Sequence, residues 1–401
     1  MASISYNGSL TKFSERLCAE ETGADLGKVG RKFVQSMLLG ISRSRSVNLT
    51  DISRGLEEKI SLHATHKKLS RNLEDPQLAA NIGDRLLNLA SEQVGPDTPL
   101  IIHVYELHKK YARKIEYLSK SADAPDVGFK VCEILASHPE SDSYFPLLAH
   151  IWSNQIPGFV SDEDEIRKAV RQVQAATCGN GLFCIDDQSL DFEALRPLMV
   201  DSGLNFLSLI QLKDPDLIYK GKHRTISELL KQTETRYGKI LYKLVPEGMV
   251  GVSKMDLDLF VHVGATGIKL GSCERPLSFI ALKTESSYLG QNLTPILTSK
   301  TNLRSRKSLM GLMDTFLAIQ DVVGTHRMLR NSFNPENFRV LTFNRLQLLM
   351  TLLQAVIHYE VSVRRGVTID DKKFAAKPHD GEFDRTYLLP KPEKAARTGR
   401  G

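Results

Sequence analysis

The stretch Leu100-Ile-Ile-His-Val-Tyr-Glu106 marks the point at which the sequence changes from helical to strand-like spacing. It follows Pro96 and Pro99, and it is short, apolar and rich in β-branched residues, which predicts a buried strand. Upstream, apolar residues recur every three or four positions over residues 26–92, a spacing typical of amphipathic helices. The first strand of a sheet is therefore expected at residues 100–106, after a helical first third.

The elements that follow predict the fold class. Apolar runs indicate strands at 127–135 and 144–151, and four acids at 162–165 open an amphipathic helix that ends at about Ala176. A strand at 181–186, a helix at 191–200 and a strand at 206–212 complete the series. This order, three strands, helix, strand, helix, strand, predicts an α/β (α+β) protein with a ribonuclease-H-like mixed sheet and flanking helices. In that plan the strand ends gather acids over the sheet.

Five segments are expected along the chain, with boundaries placed where the residue pattern changes. They are a basic helical region that binds DNA (1–95), the first part of the ribonuclease-H-like core (96–213), a β-rich insertion (214–300), C-terminal helices that complete the core (301–364) and a tail (365–401). The tail is rich in charge, Pro, Gly and Ala and has almost no apolar periodicity, so it is predicted to be disordered.

The bulk composition excludes several classes of protein. Five scattered cysteines argue against a disulfide framework, and no apolar run approaches the roughly 18 residues that a membrane-spanning helix needs. We therefore expect a cytoplasmic protein without a membrane partner. The net charge of +6 is modest, but residues 28–71 hold ten Lys or Arg against three acids. That segment is expected to bind phosphate groups.

Two short helices are predicted inside the basic segment. Asn48 or Thr50 can cap the first helix, and Gly55 interrupts it near its end. The second helix is expected from Ser61, with its basic residues mostly along one side. In outline the pair resembles a helix-turn-helix, in which the second helix enters a DNA groove. The residues along that side are His63, His66, Lys67, Lys68 and Arg71.

Over residues 35–360 the sequence also resembles one family, the DDE transposases of bacterial insertion sequences, whose last motif has the form Tyr-x2-Arg-x3-Glu-x6-Lys. The order and spacing of several segments together carry this resemblance. The segments are Ser46-Val-Asn-Leu49, Tyr111-Ala-Arg-Lys-Ile-Glu-Tyr-Leu118, Ile151-Trp-Ser153, Pro157-Gly-Phe159, Asn302-Leu-Arg-Ser-Arg-Lys-Ser308, Phe338-Arg-Val-Leu341 and the helix at Arg345.

The resemblance implies a chemistry that this sequence does not support. The family clamps two divalent cations between three carboxylates, because water or a 3′-hydroxyl must attack a phosphodiester. The first acid aligns with His103 and the third with Val323, so only the second, Asp186, survives. In the last motif Tyr becomes Phe316, Arg becomes Ile319 and Lys becomes Arg330.

Two alternatives to the loss of the metal site are open: other acids could replace the missing ones, or a different metal could bind. Glu106, Asp187 and Asp321 are the acids that could substitute, although strand alternation turns Glu106 away from the face of His103 and helical spacing turns Asp321 away from Val323. Alternatively, histidines together with Asp186 could bind a softer metal such as zinc. The residues nearest by fold position are His103, His108, His326 and Cys184.

The functional hypothesis is a transposase-derived protein that binds double-stranded DNA and is catalytically inactive, a pseudoenzyme with a regulatory role at the nucleoid. An active or weakly active DDE transposase and a protein-interaction module are the alternatives. No cofactor is expected, and Mg²⁺ or Mn²⁺ enters only if catalysis survives. Whether the protein forms a homodimer is left open. The residues expected to contact DNA are Arg43, Arg45, Lys67, Lys68, Arg71, Arg304, Arg306, Lys307, Arg327 and Arg330.

Overall fold

A computed structural model describes most of the chain. The described residues are 2–20, 25–75, 77–109, 114–119, 128–138, 143–185, 190, 192–210, 216–244, 256–271, 273–286 and 290–363. The chain divides into two compact units, of which the first holds residues 1–206 and 315–369 and the second holds 207–314 and 370–401. Asp186, Asp187 and the predicted tail over 365–401 lie outside the described residues.

The sheet of the first unit has the predicted order of elements. Its strands are β1 (Pro99–His108), β2 (Gly128–His138), β3 (Ser143–Trp152) and β4 (Leu182–Ile185), and the boundary between the two units falls in β5 (Phe206–Leu209). The spatial order is β3-β2-β1-β4-β5. Strands β1 to β3 pair antiparallel, whereas β4 pairs parallel to β1. The mixed sheet with flanking helices therefore confirms the predicted fold class.

Five helices precede the sheet, as the helical spacing of the first third predicts. They are α1 (Ala2–Leu17), α2 (Gly27–Ser44), α3 (Leu49–Gly55), α4 (Leu62–Asn72) and α5 (Leu78–Ser91). The Asn48 side chain accepts a hydrogen bond from the amide of Thr50 at the start of α3, and Ser61 accepts one from Ala64 at the start of α4. Both caps satisfy amide groups that the first turn leaves unpaired. These two helices and the Asn48 cap are confirmed.

The crossover elements follow the strands. Helix α6 (Asp162–Ala176) joins β3 to β4, and α7 (Phe192–Arg196), extended by a π-helical turn to Asp201, joins β4 to β5. Ser161 caps α6 through the amide of Asp164, and four acids occupy its first turn, where the helix dipole favours negative charge.

Two C-terminal helices complete the first unit. They are α9 (Arg306–Asn331), whose residues from Thr315 onward belong to this unit, and α10 (Phe343–His358). Buried side chains of α10 join those of α2 and α5 in one apolar core, which also takes Phe129 and Val131 from β2. This core covers one face of the sheet, the face that Val131 and, two residues on, Glu133 share.

The second unit is a mainly antiparallel sheet. Its elements are β6 (Leu217–Tyr219), β7 (Lys222–Arg224), α8 (Ile226–Gln232), β8 (Tyr237–Leu244), β9 (Asp256–Leu270), β10 (Cys273–Ser286) and β11 (Gly290–Thr298). The order runs β5-β11-β10-β9-β6-β7, and β8 also pairs with β9. The strand-like pieces of the predicted insertion are thus present as β8 to β11. No helix in the described part of the chain is long and apolar enough to cross a membrane.

Candidate functional site

Two of the three aligned catalytic positions can be placed. His103 lies half-buried in β1, and Val323 lies on α9 with 8% of its surface exposed. The remaining position, that of the second acid, is Asp186, which follows directly on the last residue of β4 but lies outside the described residues. A valine side chain has no atom that can bind a divalent cation, so α9 supplies no ligand at the position where the resemblance requires one.

The substitute acids that can be placed lie away from His103 and Val323. Strand β1 continues to His108, so Glu106 is still inside the strand, in register with Lys130, and its side chain points to the face opposite that of His103. It is exposed and lies 3.5 Å from His108 Nε2. Asp321 is exposed on α9, two residues before the buried Val323. Asp187 lies outside the described residues.

A carboxylate that the sequence reasoning missed lies on the same face as His103. Glu133 of β2 is the direct cross-strand partner of His103, and opposite residues of an antiparallel pair share a face. Only 5% of Glu133 is exposed. The signal in the sequence is a carboxylate inside the apolar run at 127–135, because a buried charge needs a partner.

Helix α9 supplies the partners of Glu133. Arg330 Nη1 donates to Glu133 Oε2 at 2.7 Å, and His326 Nε2 lies 3.0 Å from the same oxygen. Since a helix turns about 100° per residue, His326 and Arg330 lie within about 60° of Val323 around the axis. One buried face of α9 therefore presents Val323, His326 and Arg330 to the sheet.

Tyr105 closes the cluster from β1. Its ring lies under the Arg330 guanidinium, with the central carbon 3.5 Å from the ring centroid, and its hydroxyl donates to Glu133 Oε1 at 3.3 Å. The Tyr144 ring meets His326 edge-on, with centroids 5.6 Å apart. We call Tyr105, Glu133, His326 and Arg330 the buried ion cluster.

The electrostatics of the buried ion cluster keep Glu133 ionised. Burial alone opposes ionisation of this carboxyl, but the nearby His326 and Arg330 outweigh burial and hold its pKa well below the ordinary value. Burial, reinforced by Glu133, raises the pKa of the Tyr105 hydroxyl, which therefore stays protonated and can donate. The carboxylate is thus already satisfied by protein groups.

The buried ion cluster is a poor cation site. Arg330 carries a permanent positive charge next to the carboxylate, and it would repel a divalent cation. No group of three or more His, Cys, Asp and Glu side chains among the described residues could hold a metal ion. Of the other residues considered for a softer metal, Cys184 Sγ contacts the carbonyl of Leu182 in its own strand, and His108 lies beside Glu106.

The predicted DNA contacts of the N-terminal helices divide into two groups. Lys67 and Arg71 are exposed on α4, and Arg43 is exposed on α2, where it donates to the carbonyl of Gly55 at 3.3 Å. Lys68 is exposed but pairs with Glu58 at 2.6 Å. Arg45 is less accessible, because it pairs at 2.8 Å with Glu360, whose side chain is 5% exposed, and stacks on the ring of Phe333.

The remaining predicted contacts lie along α9 and just before it. Arg304, Arg306 and Lys307 are exposed in the second unit, where Arg306 also donates to the carbonyl of Gly238 at 3.2 Å. Arg327 is half-buried in the first unit. Arg330 must be corrected, because its buried guanidinium is held by Glu133 and cannot reach a phosphate.

Comparison with known proteins adds little. No protein-family model matches the sequence, and no curated protein matches it. Among solved structures, the chain is similar to the piggyBac transposase in a cryo-EM structure of its synaptic complex with hairpin DNA. The TM-score is 0.43 at 10% identity, over 96% of this chain and 83% of that chain. A likeness this distant carries no argument about the function of this chain.

Proposed function

We propose that this chain is a transposase-derived protein that binds double-stranded DNA and does not cut it. The observation that carries the proposal is the buried face of α9, which presents Val323, His326 and Arg330 where the family resemblance requires a metal-binding glutamate. Glu133, the carboxylate opposite His103, is bonded to Arg330 and Tyr105 instead of being open to a cation.

The loss of catalysis follows from the charge balance on this face. Two-metal cleavage of a phosphodiester needs several carboxylates whose negative charge exceeds that of nearby protein cations. Here one carboxylate faces an arginine and a histidine. Asp186 adds at most one further charge from the end of β4. We therefore expect no productive binding of Mg²⁺ or Mn²⁺.

The binding function is supported by the exposed basic residues of the N-terminal helices. Lys67 and Arg71 lie four positions apart on α4, so they share one side of the helix, and His63 precedes them by one turn. Buried residues of α4 are confined to Thr65 and Leu69, which leaves the basic side open to a ligand. Such residues contact backbone phosphates and make binding depend steeply on salt.

An active transposase is the second candidate, and one observation favours it. Glu133 and His103 are cross-strand partners, so a carboxylate does lie on the face where the first catalytic acid is expected. If the protein is an active transposase, a conformational change has to separate Glu133 from Arg330 before a cation can bind.

Fluorescence anisotropy with a labelled duplex tests the binding function. We expect Mg²⁺ not to strengthen binding relative to chelator, because no metal takes part, and we expect affinity to fall steeply as salt rises. Lys67→Glu and Arg71→Glu should each weaken binding, whereas Arg171→Glu, the same charge change on the exposed side of α6, should leave it unchanged. Failure of the wild type to bind any duplex at low salt would refute the proposal.

A further inference from the structure

Helix α4 presents most of its surface to solvent. Of its eleven residues (Leu62–Asn72), only Thr65 and Leu69 are buried. Since successive helical residues are about 100° apart, these two lie about 40° from each other and define the side that faces the protein. Lys67 lies about 180° around the axis from the midpoint between them, at the centre of the outer side. It is also the sixth of the eleven residues, midway along the helix.

A histidine and an arginine flank Lys67 on the outer side of α4. His63 lies about one turn before it and Arg71 about one turn after it, each about 40° around the axis, and all three side chains are exposed. Ala64 is also exposed, about 60° from Lys67, and adds neither charge nor bulk to this side. We call His63, Lys67 and Arg71 the outer basic row of α4.

The acids closest in sequence to the outer basic row lie outside the helix. None of the eleven residues of α4 is acidic. Glu57 and Glu58 belong to the turn before the helix, where Glu58 pairs with Lys68 at 2.6 Å. After the helix, Glu74 pairs with an arginine of α10, and Asp75 accepts from a backbone amide. The outer side of α4 is therefore complementary to an anionic partner.

The hydrogen-bonding groups of the outer basic row decide which base it can recognise. Charged lysine and arginine side chains donate hydrogen bonds and cannot accept them. In the major groove guanine presents two acceptors, N7 and O6, whereas adenine presents an acceptor beside a donor, cytosine a donor and thymine one acceptor. A lysine that reaches the base edges therefore matches guanine best, because it can donate to both atoms at once.

The dimensions of α4 allow Lys67 to reach those edges. An α-helix with its side chains is about 10–12 Å across, and the major groove is about 12 Å wide. If the helix enters with its outer side first, Lys67 points to the floor of the groove, because it lies opposite the buried side and midway along the helix. His63 and Arg71, each about 6 Å away along the axis, then lie nearer the two phosphate backbones.

We propose that α4 enters the major groove of duplex DNA and that Lys67 donates to N7 and O6 of a guanine there. His63 and Arg71 contact the phosphate backbone on either side. The protein then prefers sites with a guanine at one defined position, so Lys67 contributes specificity as well as affinity. This inference rests on the proposed function, because it assumes that α4 binds duplex DNA.

Two analogues of guanine test this contact and the groove in which it lies. The analogue 7-deazaguanine lacks the N7 acceptor of the major groove, whereas hypoxanthine lacks only the amino group of the minor groove. A tight-binding duplex is first selected from a random pool, and anisotropy then compares it with copies in which single guanines are replaced. We expect the wild type to bind the most sensitive 7-deazaguanine copy about fivefold more weakly, the lower end of what a two-bond contact to a base contributes. The matching hypoxanthine copy should bind as the parent duplex does.

Two lysine variants form a matched pair. Lys67→Met keeps the length of the side chain but removes its donors, so the affinities for the guanine and 7-deazaguanine copies should become equal. Lys68→Met makes the same change at a side chain that pairs with Glu58, about 100° around the helix, and should keep the difference. Arg71→Met should weaken binding to every copy equally and reduce the slope of log affinity against log salt by about 1. Fluorescence of the buried Trp152 checks that each variant is folded.

Several outcomes would overturn the inference. Tight wild-type binding with equal affinity for every guanine and 7-deazaguanine copy would do so and would leave the proposed function standing. A loss of affinity confined to hypoxanthine copies would also overturn it, because the contact would then lie in the minor groove. A difference between the copies that persists in Lys67→Met would exclude Lys67 as the reading residue. If the wild type binds no duplex at all, the proposed function fails and this inference fails with it.

Discussion

Replacing Glu133 by glutamine removes the only carboxylate that Arg330 contacts among the described residues, while the shape of the side chain hardly changes. The guanidinium would then keep its charge at 5% exposure, with an amide in place of a carboxylate at 2.7 Å. Removing one partner of a buried ion pair costs about 3–5 kcal/mol, because the remaining charge stays desolvated. That is a large share of the roughly 5–15 kcal/mol that stabilises a typical domain.

The assay uses a property of this sequence. Trp152 is the only tryptophan, it is buried at the end of β3, and its indole donates to Asp162 at 2.8 Å. Its fluorescence therefore reports the unfolding of the first unit. Urea titrations of wild type and Glu133→Gln should differ by about 3–5 kcal/mol. Glu106→Gln, the same change at an exposed position of β1, should lie within about 0.5 kcal/mol of wild type.

A double variant distinguishes an unpaired charge from a simple packing defect. In Glu133→Gln with Arg330→Met the unpaired guanidinium is gone, so most of the lost stability should return. A Glu133→Gln protein within about 1 kcal/mol of wild type would contradict the unpaired buried charge, and so would a double variant that is no more stable than the single one. The first result would mean that Arg330 reaches solvent, and the second would mean that Arg330 contributes packing rather than charge.

Three further predictions concern pH and local packing. Burial lowers the pKa of His358 to about 4, although its hydrogen bond to the Pro146 carbonyl acts in the opposite direction, so as pH falls the unfolded state binds the proton first. Stability should therefore fall as pH drops from about 6.5 to 4, and His358→Leu should flatten that part of a plot of urea midpoint against pH. Glu133, whose pKa is lowered, stabilises the fold fully above its ordinary value of 4.5 and loses that contribution as pH falls below it, so the profile of Glu133→Gln should be flatter in acid than that of wild type. A Cβ at Gly40 would lie 2.6 Å from Ile52 Cγ2 and 3.1 Å from the Ile52 carbonyl oxygen, so Gly40→Ala should push α2 away from α3 and weaken duplex binding. Gly8→Ala is the control and should have neither effect, because a Cβ at Gly8 meets nothing within 4 Å.

Local sequence patterns predicted much of the fold. The β-branched run around Ile102 predicts the first strand, and the apolar runs and the acidic helix start after it predict the order of the later elements along the chain. Asn48 and Ser61 placed the starts of α3 and α4, because side-chain caps act on amides only two or three residues away. These features depend on neighbours in sequence, so periodicity and capping rules capture them.

The buried ion cluster could not be predicted, because its members are far apart in sequence. Glu133 and Arg330 are separated by 197 positions, and nothing in the neighbourhood of either residue indicates the other. Basic residues on a helix usually lie on the surface, so the sequence predicts a DNA contact at Arg330, whereas the structure buries its side chain against Glu133. The opposite orientation of Glu106 and His103 could be predicted, because side chains alternate along a strand and the two residues are three positions apart in β1.

Incubation of the purified protein with supercoiled plasmid in Mn²⁺ distinguishes a protein that only binds DNA from one that also cuts it, because one gel scores both binding and cutting. We expect retarded plasmid that, after removal of the protein, is still fully supercoiled, in Mn²⁺ as in chelator. Conversion to nicked circles in Mn²⁺ that is lost in Asp186→Ala would contradict this expectation, and would mean that a working metal site forms on this fold after all.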